Sequence, residues 1–135
     1  MKKWHLKQIA IVLLLAVALL FAGCRSAPIY NVMDAPVNIT AEKYTAKDVK
    51  KAIISAGAAL GWQIKEAGPD KLVGILHLRK HMAKINIPYS KEGYSLLYSD
   101  SSELDYNPEK GAIHKNYNGW IERLDRAIQS NLATL

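Results

Sequence analysis

Cysteine is nearly missing: Cys24 is the only one in 135 residues, so no internal disulfide can brace the fold. Apolar runs long enough to cross a bilayer are missing too. A hydrocarbon layer about 30 Å thick takes roughly 20 helical residues, whereas the longest apolar or small-residue run, residues 9–23, holds 15. No repeating unit and no low-complexity tract interrupts the chain, which excludes repeat architectures and long biased linkers. Arg/Lys stripes interleaved with aromatics, the footprint of nucleic-acid binders, are absent. No G-x-S-x-G context surrounds any serine, and none has an assignable His partner. Nucleic acid is thus not an expected partner, enzymatic activity is not expected, and no cofactor is implied.

What is present begins with a leader. Lys2, Lys3 and Lys7 give a cationic start to the 15-residue run, the charge and length of a signal-peptide core. The run closes on Leu20-Phe21-Ala22-Gly23-Cys24. These residues resemble the lipobox of bacterial lipoproteins, with Phe21 standing where Leu is usual. The resemblance implies that Cys24 is acylated, freed by signal peptidase II and left as the new N-terminus. Residues 1–23 are then a leader, and the membrane is reached through Cys24. One acyl chain holds a protein only marginally, while several, at about 0.8 kcal/mol per buried methylene, make release negligible. By the same resemblance, Arg25 after the cysteine points to the outer membrane, with the domain lipid-anchored on the periplasmic side.

Without the leader 112 residues remain, room for one domain with a modest core. Three of the 18 basic residues lie in the leader, so 15 face 12 acidic ones and the net charge falls from +6 to +3. That is the balance of an ordinary water-soluble domain.

Residues 24–36, with Pro28 and Pro36 and no usable period, read as the lipidated cysteine and a tether, and residues 37–135 as a single domain. Residues 37–40 alternate like a short first strand. Thr45 and Asp48 open a helix in which Val49, Ala52, Ile53, Ala56 and Leu60 share a face, and Gly61 ends it. Residues 62–65, 72–79, 82–89 and 94–100 read as strands, the last two joined by a turn at Ser90-Lys91-Glu92-Gly93. Tyr117, Trp120, Ile121, Leu124, Ile128 and Leu132 mark the inner face of a final helix capped by Asn116 or Asn118. The expected class is α+β. Its antiparallel or mixed sheet has about four strands, with two helices packed on one face in the order β-α-β-β-β-α.

Candidate sites follow from that pattern. If Leu72, Leu76 and Leu78 face the helices, then Val73, Ile75, His77 and Arg79 lie on the open face. With Met82, Lys84 and Leu97 they form a partly apolar, basic-edged surface of the kind that marks contact sites. His77 and His81 on one strand would stand about 13 Å apart, too far to approach one zinc ion at about 2 Å, so no metal site is expected. Asp100, Ser101, Ser102, Glu103 and Asp105 lack the glycine and final glutamate of a calcium loop. Residues 113–121, which include His114, Asn116 and Asn118, are candidates for recognition at the start of the last helix. Together with residues 77–81 and 94–98, this stretch resembles a C-terminal signature of small uncharacterised envelope lipoproteins, which implies a fold and no activity. The function expected is a non-enzymatic lipoprotein that binds an envelope protein or an anionic envelope component through the open face. The alternatives are a small-ligand carrier or hydrolase with a pocket between sheet and helices, and a homodimer built through the open sheet.

Overall fold

Helix α2, Ala46–Ala59, starts where Thr45 accepts the Asp48 N–H and the Asp48 carboxylate accepts the Thr45 N–H, a reciprocal cap. Those bonds hold the Asp48 carboxyl below its ordinary range. The structure, a computed structural model, describes residues 2–22, 25–40 and 43–135. Gly23 and Cys24 of the lipobox-like stretch lie outside them. Helix α1, Lys2–Ala22, precedes the domain, and its side chains from Lys2 to Ala16 are exposed. Among the described residues no helix is long and apolar enough to cross a membrane.

Helix α2 buries Val49, Ala52, Ile53, Ala56 and Gly57, the three- and four-residue steps expected of an inward face. A Cβ at Gly57 would run into the Ile64 side chain. The glycine therefore weakens the helix locally in exchange for close approach to a neighbouring strand. Gly61, at φ 86, ends the element.

The sheet has five antiparallel strands in the order β2-β6-β5-β4-β3, formed by Val32–Pro36, Gly93–Ser102, His81–Pro88, Lys71–Leu78 and Trp62–Glu66. Both α2 and α3, Lys115–Leu132, lie over one face. Their inward residues meet Leu72, Leu76, Ala83, Ile85, Ile87, Tyr94 and Leu96 in one core. An Asn131 side-chain N–H donated to the Ala52 carbonyl at 3.1 Å ties the two helices together. Strands β1, Ser26–Pro28, and β7, Ala112–His114, form a separate two-stranded sheet.

The class is therefore α+β with two helices on one sheet face, but the strand count and order differ from expectation. After α1 the chain runs β-β-α-β-β-β-β-β-α, with five strands in the main sheet instead of about four. Ser26–Pro28 and Val32–Pro36, within the stretch expected to be a tether, are strands β1 and β2. Residues 37–40, expected to be the first strand, follow β2 without joining a ladder, although Val37 is buried and its N–H reaches the Glu92 carbonyl at 2.9 Å. Strand β2 carries a bulge: Val32 faces Leu96 and Ala35 faces Tyr94, so the chain gains a residue. Asp34 absorbs it at φ 47 and donates its N–H to the Ser95 hydroxyl at 2.9 Å.

One polar cluster penetrates the core. The Tyr94 hydroxyl donates to the Asp125 carboxylate at 2.6 Å and accepts from the Gln129 amide at 2.7 Å. Burial first, then the neighbouring carboxylate, pushes its ionisation far above the ordinary phenol range. Tyr117 is displaced upward by burial, and its hydroxyl finds no hydrogen-bond partner among the described residues. At the surface, Lys50 pairs with Glu66, raising the lysine and lowering the carboxylate.

Candidate interaction face

The register of the sheet fixes which side chains share the uncovered face, because directly opposed residues in an antiparallel pair point the same way. Three rows result. Lys65, Val73, Asn86 and Leu97 are successive partners across β3, β4, β5 and β6; Gln63, Ile75, Lys84 and Asp100 form the next row; His77, Met82 and Ser102 form the third. Val73, Ile75, Met82, Lys84 and Leu97 are half-buried and His77 is exposed. The alternate residues Leu72, Gly74 and Leu76 are buried under the helices. An apolar diagonal from Met82 through Ile75 and Val73 thus crosses a face that also carries Lys65, Lys84 and Asp100.

Arg79 is not on this face. Strand β4 ends at Leu78, and because Leu78 pairs with His81 only Arg79 and Lys80 remain to reverse the chain. Arg79 takes φ 55 to do so. The same turn separates the two histidines. His77 points to the open face opposite Met82. His81 shares its strand parity with the buried Ala83 and Ile85, packs its ring 6.2 Å from Trp120, and places Nδ1 2.6 Å from the Glu103 carbonyl oxygen. Among the described residues no three His, Cys, Asp or Glu side chains gather where they could hold a metal ion.

At the start of α3, two of the three candidate recognition residues are occupied by the fold. His114, not either asparagine, caps the helix: its Nδ1 accepts the Asn116 N–H at 3.1 Å. Asn118 accepts the Tyr30 N–H at 3.0 Å and donates to the Pro28 carbonyl at 2.9 Å, so it fastens the incoming chain to α3. The Asn116 side chain is exposed. Neither Tyr30 nor Pro28 is near Asn118 in sequence, so no local signal announces this role.

A depression of about 400 Å³ lies between the β2 bulge and the β5–β6 turn, lined in part by Asp34, Pro88, Tyr89, Tyr94 and Ser95. Ser95 is 5% exposed, and its hydroxyl is taken by the Asp34 N–H. The hydroxyl also donates to the Asp34 carboxylate at 3.4 Å, and the depression is lined by the carboxylates of Asp34 and Glu92 and by no histidine. The chain matches no protein-family model, no curated protein and no solved structure.

Proposed function

We propose that the protein is a lipid-anchored envelope lipoprotein, non-enzymatic, that holds an envelope protein or an anionic envelope component through the open face of its sheet. In this reading α1 is the cleaved leader, acylated Cys24 holds the domain at the periplasmic side of the outer membrane, and the fold presents a face to the space beyond. The observation that carries the binding part is the one-sided packing. Both domain helices cover the same face, while Val73, Ile75, Met82 and Leu97 stand half-buried on the other with lysines among them. Partly apolar, polar-rimmed surfaces of this kind suit protein contacts.

The leader reading is supported by a helix whose exposed residues Ile9, Ile11, Val12, Leu13, Leu14 and Leu15 find no cover from the domain. A helix apolar on every side belongs in a hydrophobic medium. Cys24→Ala tests the anchor. With no thiol to acylate, fatty-acid incorporation should vanish and the domain should leave the outer membrane or keep its leader; equal labelling of mutant and wild type would sink the reading. Crosslinking in intact cells then distinguishes a partner from a second copy of the chain.

A further inference from the structure

The end of the domain at which the chain emerges from its N-terminal segment is not an ordinary polar surface. Ser26 pairs with His114. The His114 N–H reaches the Leu104 carbonyl at 2.8 Å, the Glu103 carbonyl next to it meets His81, and His81 lies against Trp120. Leu78 pairs with His81 and Trp62 with Leu76, so the β4–β5 turn and the α2–β3 corner sit at this same end. There Trp62, Leu76, Trp120, Leu60, Leu78 and Arg123 line a cavity of about 300 Å³. Leu60 is 39% exposed and Leu78 44%. Exposed Arg79 and Lys80 follow Leu78 directly, while Arg25 and Lys115 flank the β1–β7 pair; the exposed acids of this region are Glu103, Asp105 and Glu122. Cations therefore predominate around an open apolar cavity.

We propose that this end is seated on an anionic phospholipid bilayer, with Leu60 and Leu78 entering the interface and Arg79, Lys80 and Arg123 at the level of the phosphates. The proposal rests on acylation of Cys24. Only Arg25 separates that cysteine from Ser26, and two residues reach at most about 7 Å. Because Ser26 is already paired, the anchor has no slack, and acyl chains in the membrane must bring the Ser26–His114 end down to the headgroups. Apolar groups at such an interface sit about 5–10 Å into the headgroup boundary, and basic groups beside them are drawn to anionic lipid. Strands β4 and β5 then rise away from the membrane, and the Val73/Ile75 face stands beside it, open to a partner.

The three tryptophans make the test direct, since Trp4 lies in the leader and Trp62 and Trp120 both line the cavity. The acylated protein is purified from a precursor carrying Trp4→Phe, so that any uncleaved leader adds no emission, and is reconstituted in phosphatidylethanolamine–phosphatidylglycerol vesicles with either plain or brominated acyl chains. Tryptophan emission should be roughly twofold lower on the brominated lipid, as an interfacial position requires. Leu60→Asp with Leu78→Asp should keep the acyl label and the circular dichroism spectrum but lose the quenching. Arg79→Glu with Lys80→Glu should reduce it. Acylated protein with equal emission on both lipids would overturn the seating and leave the lipoprotein reading standing, whereas protein without acyl label would overturn both. Quenching that survives the charge reversal would contradict the role of anionic lipid.

Discussion

The two faces of the five-stranded sheet are drawn from the same strands, residue by residue in alternation, yet they obey different rules. On the helix side the cross-strand partners are Leu72 with Ile87, Gly74 with Ile85 and Leu76 with Ala83; on the other they are Val73 with Asn86, Ile75 with Lys84 and His77 with Met82. The first set is apolar throughout and buried, as a core requires. The second mixes Val73, Ile75 and Met82 with Asn86, Lys84 and His77, and its members are half-buried or exposed. A core selects for volume and dryness, while a surface that must stay soluble alone and still bind needs apolar area diluted by charge.

Leu76→Asp should have the largest effect. An unpaired carboxylate would be forced into the core beside Trp62 and Ala83, costing several kcal/mol against a total stability of about 5–15 kcal/mol; loss of the cooperative thermal transition is the expected readout. Trp120→Ala follows. The ring is 8% exposed, and emptying such a site costs about 3–5 kcal/mol, measurable by denaturant unfolding.

Tyr94→Phe removes a hydroxyl bonded to a carboxylate and should cost about 1.5–3 kcal/mol. The same hydroxyl sets a pH dependence. Its folded ionisation lies above its unfolded one, so its contribution is fully present below about pH 10 and is lost as pH rises beyond the unfolded value. In an alkaline absorbance titration Tyr94 and Tyr117 should ionise only as the domain unfolds. Ile75→Asp, on the open face, should change stability by less than about 1 kcal/mol while abolishing association; unfolding by this substitution with tolerance of Leu76→Asp would invert the faces. Tyr117→Phe should have the smallest effect, within about 0.5 kcal/mol or slightly stabilising, because the hydroxyl it removes has no hydrogen-bond partner among the described residues.

Much of this architecture is legible in the sequence where the signal is local. Thr45 and Asp48 sit three apart and cap α2 themselves, and the spacing from Tyr117 to Leu132 marks the buried side of α3. The alternation in β4 separates Leu72 and Leu76 from Val73 and Ile75 without any knowledge of partners. What is not legible depends on distant residues. Strand β1 has three residues, one of them a proline, and it is a strand only because Ser26, Ala27 and Pro28 find His114, Ile113 and Ala112. Strand β2 contains a bulge at Asp34 that destroys its period of two. Residues 37–40 keep that period because they pack against the core, which produces alternation without a ladder. Arg79 carries none of the Gly or Asn signal of a tight turn, so only the Leu78–His81 pairing reveals that it leaves the face. Of the candidate site, alternation alone puts Val73 and Ile75 on one face of β4, whereas the diagonal they form with Met82 and the fastening role of Asn118 required the fold.

The central claim, that the uncovered face is where this protein meets its partner, is tested most directly by placing a photo-crosslinking residue at position 75, at 97 and, as the buried control, at 76 in the acylated protein in intact cells. Defined adducts are expected from 75 and 97, none from 76, and the 97 adduct should be lost when Ile75→Asp is added. Absence of adducts from both exposed positions in membrane-held, folded protein would contradict it.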